Sequence, residues 1–125
     1  MTIYAGGMDA ARPGFRRRVS YEARPGRSAV VAANLADLHG PTSGVVELPH
    51  RLFWQPDRHV DLDNPALLAW MYETVLREAA IVHELHAWLD GPTLIRLWPD
   101  IFVPSGVRQA WEDRHPVLRA RAAAA

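Results

Sequence analysis

The chain has 125 residues, enough for one domain and too few for two ordinary ones. Apolar residues make up 49% and charged residues 22%, so a core can be built, and the absence of cysteine excludes disulfides, thiolate catalysis and cysteine-bound metal. The formal net charge is +0, which argues against whole-surface attraction to nucleic acid or anionic lipid.

Residues 1–27 read as a flexible tail. Gly6, Gly7, Pro13, Gly14, Pro25 and Gly26 interrupt every element, and the few apolar side chains cannot offset the entropy of ordering. Six arginines against Asp9 and Glu22 give the tail +4 and leave the remainder at −4. Within it, Phe15-Arg16-Arg17-Arg18 sets a basic run beside an aromatic ring, a pattern suited to phosphates of a nucleic acid or to an acidic partner. All 14 basic residues of the chain are arginine, whose planar fork serves such contacts better than an ammonium, although GC-rich coding also explains the bias.

Ser28 to His39 is expected to form a short helix, with Ser28 as N-cap and Gly40-Pro41 as its stop. Residues 1–44 are thus a basic tail carrying one short helix. Val45 to Gln55 has β character divided by Pro49, which suggests edge strands or an extended arm. Asp61-Leu62-Asp63-Asn64-Pro65 is a helix start: a capping side chain, proline at the first helical position, and acids opposing the positive end of the dipole. The helix runs from Pro65 to about Glu78, with Leu67, Leu68, Met71, Tyr72, Val75 and Leu76 as its buried face.

A second helix is expected over about Ala80 to Leu89, either separate from the first or continuous with it through Glu78-Ala79-Ala80, with Ile81, Val82, Leu85, Trp88 and Leu89 inward. A third runs from Thr93 to Trp98, started by Asp90-Gly91-Pro92 and ended by Pro99. A fourth covers Ser105 to Arg114 and closes at His115-Pro116. Arg119 to Ala125 should fray. The expectation is a mainly α fold: a helical domain of about four helices over 45–118 with a short extended or β segment, a disordered N-terminal tail and a frayed C-terminus at 119–125. No run approaches a membrane span of roughly 18 apolar residues, the first residues lack the apolar stretch of a secretory signal, and a cytoplasmic location follows by default.

Three clusters bear on function. His83-Glu84-Leu85-His86 places its histidines three apart, not four, with no third ligand nearby, so a solvated helix face is expected over a metal site. Asp57, His59, Asp61 and Asp63 could hold a cation or act as an acid–base pair, but the demand of a helix N-terminus for negative charge explains them. Five tryptophans are many for this length; Trp88, Trp98 and Trp111 have apolar neighbours at helical spacing and belong to a core. Trp70 lies nearly opposite the apolar stripe of its helix, beside Glu73, Thr74 and Arg77. A tryptophan on a polar face points to a second contact, with another element or another chain, and Glu73 and Arg77 are spaced to pair at i,i+4. The expected partner-binding residues are therefore Trp70, Glu73 and Arg77, joined by Arg16, Arg17 and Arg18. No catalytic residue, metal ligand or cofactor is expected.

Between residues 46 and 115 a series of short motifs stands out: Val46-Glu47-Leu48-Pro49, Phe53-Trp54, Asp61-Leu62-Asp63, Tyr72 to Glu78, Leu97-Trp98-Pro99-Asp100, and Val103-Pro104 leading to Val107-Arg108-Gln109-Ala110-Trp111-Glu112. This pattern resembles short bacterial proteins encoded beside nucleotidyltransferase toxins of the abortive-infection type. The resemblance implies an antitoxin-like, non-enzymatic protein that binds a co-encoded toxin; it carries over no site residues. Two other readings compete. A DNA-binding regulator would use Thr93–Trp98 and Ser105–Arg114 as a helix–turn–helix-like pair, although Glu112 and Asp113 weaken the latter as a phosphate face. A metal-dependent hydrolase or nuclease would use Asp57, Asp61 and Asp63, or His83 and His86.

Overall fold

Asn64 starts the longest helix. Its side-chain oxygen accepts from the amides of Ala66 (2.9 Å) and Leu67 (3.3 Å), Pro65 fills the first helical position, and α1 runs over Pro65–Glu78 as its punctuation predicts. In the computed structural model, which describes residues 22–24 and 27–124, helix α1 is the centre of the core. It buries Leu68, Met71, Tyr72, Val75 and Leu76 and also Thr74, whereas Leu67, expected inward, is 39% exposed.

Four strands precede it among the described residues. β1 (Glu22–Arg24) pairs antiparallel with β2 (Arg27–Ser28), and β3 (Val45–Glu47) pairs antiparallel with β4 (His59–Asp61) in the register Val45↔Asp61, Val46↔Val60, Glu47↔His59. The β3–β4 ribbon confirms the extended character read in Val45–Glu47. Its loop, 48–58, folds back so that Leu48 and Leu52 enter the core. Gly44 permits the entry to β3: its φ of 79° lies in the left-handed region, its amide donates to Asp63 Oδ1 (3.2 Å) and its carbonyl accepts from Leu62 (2.8 Å).

After α1 come α2 (Val82–Trp88), α3 (Gly91–Leu97), α4 (Ser105–Arg114) and α5 (Pro116–Ala124). Ala79 and Ala80 separate α1 from α2. Ile81 is a poor N-cap, so Glu84 reaches back instead, its Oε1 accepting from the amides of Ala80 (2.8 Å) and Ile81 (3.4 Å). Of the side chains expected inward on α2, Leu85 and Leu89 are fully buried, Trp88 is half-buried, and Ile81 and Val82 are exposed. Asp90 caps α3, accepting from the Thr93 amide (3.2 Å) and hydroxyl (2.7 Å), while its own amide donates to the Tyr72 hydroxyl (2.8 Å). Burial raises the Tyr72 pKa above the ordinary 10.0 despite that bond.

Two expectations fail in instructive ways. The helix expected over Ser28–His39 is absent; residues 29–34 form no regular element, with a bend at Ala33, and only Leu35–Asp37 makes a 3-10 turn. β-branched Val30 and Val31 disfavour a helix, and the non-helical path seats Ala32 in the core. There its carbonyl accepts from the Nε2–H of buried His115 (2.7 Å). The segment then runs along the α2–α3 junction, where Gly40 donates to the Leu89 carbonyl (2.8 Å) and lies so close to the Trp88 backbone that a β-carbon would clash. The C-terminus does not fray at Arg119. His115-Pro116 ends α4 but also starts α5, because proline suits a first helical position, and Leu118 is fully buried.

The fold is mainly helical, with five α-helices among the described residues and two short antiparallel ribbons. No helix among those residues is long and apolar enough to cross a membrane. The expected disordered tail lies, apart from the backbone of 22–24 and 27, outside the described residues.

Candidate functional site

On a helical wheel of α1 the core face centres on Leu68, Met71, Tyr72 and Val75, and Trp70, Glu73 and Arg77 fall on the far side. Two chain segments flank that line. On one side, loop residues 51–54 pack against Trp70, Thr74 and Glu78: Phe53 meets the Trp70 ring edge to face with centroids 4.8 Å apart and an interplanar angle of 79°. On the other side, Glu73 Oε2 accepts from the Phe102 amide (2.9 Å), which pins the connector between α3 and α4 to the helix.

This arrangement answers the expectation for Trp70. Its second contact is another element of the same chain, and the ring is half-buried. Glu73 and Arg77, spaced to pair, do not: Glu73 holds Phe102, and the Arg77 Nε–H donates to Glu78 Oε2 (3.1 Å). Arg16, Arg17 and Arg18 lie outside the described residues. Position alone could have suggested Thr74, but neither Trp54, 72% exposed, nor Phe102, 86% exposed, was legible as a surface residue. Both occur in apolar runs, Leu52-Phe53-Trp54 and Ile101-Phe102-Val103, where a core reading is natural.

Between α1 and the 51–54 loop is a cavity of about 360 Å³ lined by Arg51, Leu52, Phe53, Trp54, Thr74, Arg77 and Glu78. Its volume falls in the range of small-ligand pockets, roughly 300–1,000 Å³. Arg51 is anchored on its wall by two of its three guanidinium nitrogens. Its Nε and Nη2 donate to the two oxygens of Glu84 (2.5 and 2.8 Å), and Nη2 also donates to the Glu78 carbonyl (2.6 Å). Burial raises the Glu84 pKa, but the Arg51 bonds and two backbone amides outweigh it and hold the carboxyl below the ordinary 4.5. Arg77 is less engaged: beyond Nε, its terminal nitrogens meet no acceptor among the described residues. Thr74 is 1% exposed and its hydroxyl has no hydrogen-bond partner.

The other clusters form local structure. Asp57 Oδ1 accepts from the amide of His59 (3.1 Å) and lies 3.0 Å from its ring, contacts that lower the Asp57 pKa. Asp61 accepts from the Asp63 amide (3.0 Å) and Asp63 from Gly44. His83 and His86 have ring centroids 6.5 Å apart, and no group of three His, Cys, Asp or Glu among the described residues could hold a metal. On α4, Arg108 lies over the Trp98 ring (4.7 Å), donates to the carbonyls of Trp98 (3.3 Å) and Ile101 (2.7 Å) and pairs with Glu112, so it faces inward and not toward a phosphate backbone.

No protein-family model, curated protein or solved structure matches the chain.

Proposed function

We propose that this protein is a non-enzymatic partner-binding module, antitoxin-like in the sense of neutralising a co-encoded nucleotidyltransferase-type toxin, and that the outer face of α1 is its contact surface. The observation that carries this reading is the exposure of Trp54 and Phe102, two large aromatics on the segments that flank α1, the first lining a cavity with Arg77 and the second on the connector whose amide Glu73 holds. Rigid aromatics and arginine are the residues that dominate protein–protein contacts, since they bury much area at low entropic cost. Leaving both in water stabilises nothing in the isolated chain. The toxin identity of the partner rests on the resemblance described above, and the cytoplasmic setting of the encounter on the sequence reading of spans and signals.

The test is co-expression with the product of the neighbouring gene. A nucleotidyltransferase that co-purifies as a stable complex, and that is lost on replacing Trp54 and Phe102 together with alanine, supports the reading. Absence of any neighbour-encoded partner, or full binding by the double variant, overturns it. Because both rings are largely exposed, the variant should keep its melting temperature within a few degrees.

A further inference from the structure

We propose that the cavity beside α1 is a recognition pocket for a carboxylate carried on an apolar or aromatic body, presented by an acidic side chain or chain terminus of the protein partner. Its source rests on the binding reading above; its chemistry rests on the cavity itself.

Three features of the cavity converge. Its walls at Leu52, Phe53 and Trp54 are apolar and accept a ring or aliphatic body. Among its polar groups, Arg51 spends Nε and Nη2 on Glu84 and the Glu78 carbonyl, which fixes its guanidinium on the wall and leaves only Nη1 without an acceptor among the described residues. Arg77 retains its terminal N–H groups, with a side chain 40% exposed, and their fork matches the two oxygens of a carboxylate. Thr74 supplies the independent sign of a ligand. A buried hydroxyl without a partner is costly to keep, and this one lines the same cavity, one helical turn before the open guanidinium. An incoming carboxylate would satisfy both. Glu78 also lines the cavity, but its Oε2 is held by the Arg77 Nε–H (3.1 Å), so the donors left open are the terminal N–H groups of the guanidinium, which a carboxylate matches; a purely apolar ligand would leave the Thr74 hydroxyl unpaired.

The experiment is a nuclear magnetic resonance titration of the full chain with phenylacetate, and in parallel with 2-phenylethanol, its neutral analogue. Saturable shifts of the Arg77 Nε–H and Thr74 amide signals are expected with phenylacetate, with affinity about tenfold above that of the alcohol, as a charge-assisted paired bond provides. Arg77→Gln should erase that preference and Thr74→Val should weaken binding several-fold while both variants stay folded. Equal affinity for the two probes, an unchanged preference in Arg77→Gln, or no saturable binding of phenylacetate would overturn the pocket, whether or not a protein complex forms. Repeating the titration on the purified complex identifies the source. Blocked phenylacetate binding supports occupation by the partner's own carboxylate, and undiminished binding refutes it in favour of a free small carboxylate.

Discussion

Thr74 sets stability against recognition. Its unpaired hydroxyl is a burden in the folded chain, so Thr74→Val should raise the unfolding free energy by about 1 kcal/mol, read from the urea midpoint. A loss of similar size would mean that the hydroxyl is satisfied internally, and the pocket argument would fail with it. Glu84 tests the opposite case, a half-buried carboxylate that is well paired. Its pKa is held below 4.5, so it stabilises the fold above its unfolded value, and this contribution fades as pH falls through the lower folded value. Glu84→Gln should cost about 1 kcal/mol near neutral pH, a figure reduced for the partly exposed Arg51 partner. The difference from wild type should vanish in acid below the carboxylate range. A difference that persists at low pH would show that the charge is not the source. At the same scale, Trp70 was readable as a residue with an outside contact, but helix geometry alone cannot say whether the contact belongs to this chain, and here it is Phe53.

Among the elements, legibility followed local punctuation. α1 and α4 start and stop where proline, asparagine and the His115-Pro116 step place them, because caps and breakers act within a few residues. The 28–40 segment was misread as helix because its serine cap and Gly-Pro stop are local signals, whereas its non-helical path is fixed by distant partners: the His115 ring, the Leu89 carbonyl and the Trp88 backbone against Gly40. α5 was missed because its alanine-rich sequence shows no apolar stripe. One buried leucine and a proline start are enough once the α4 elbow is in place. Leu118→Ala should therefore cost about 2–4 kcal/mol, as for a fully buried leucine. Near-neutral behaviour by chemical denaturation would restore a frayed terminus.

At the scale of the molecule, three distant parts of the chain converge on one helix face: the β3–β4 loop, the outer side of α1 and the connector before α4. Helical periodicity exposed the middle of this surface, Trp70 and Arg77, but not its aromatic flanks, since Trp54 and Phe102 occupy apolar runs and only tertiary structure turns them outward. The groups that would serve chemistry, by contrast, stay dispersed in caps and turns among the described residues. Hydrogen–deuterium exchange on the complex with the neighbour-encoded protein tests the central claim most directly. The predicted result is new protection at residues 51–54, 70–77 and 101–103 together. Protection confined to α3 and α4, with those three segments unchanged, would contradict it.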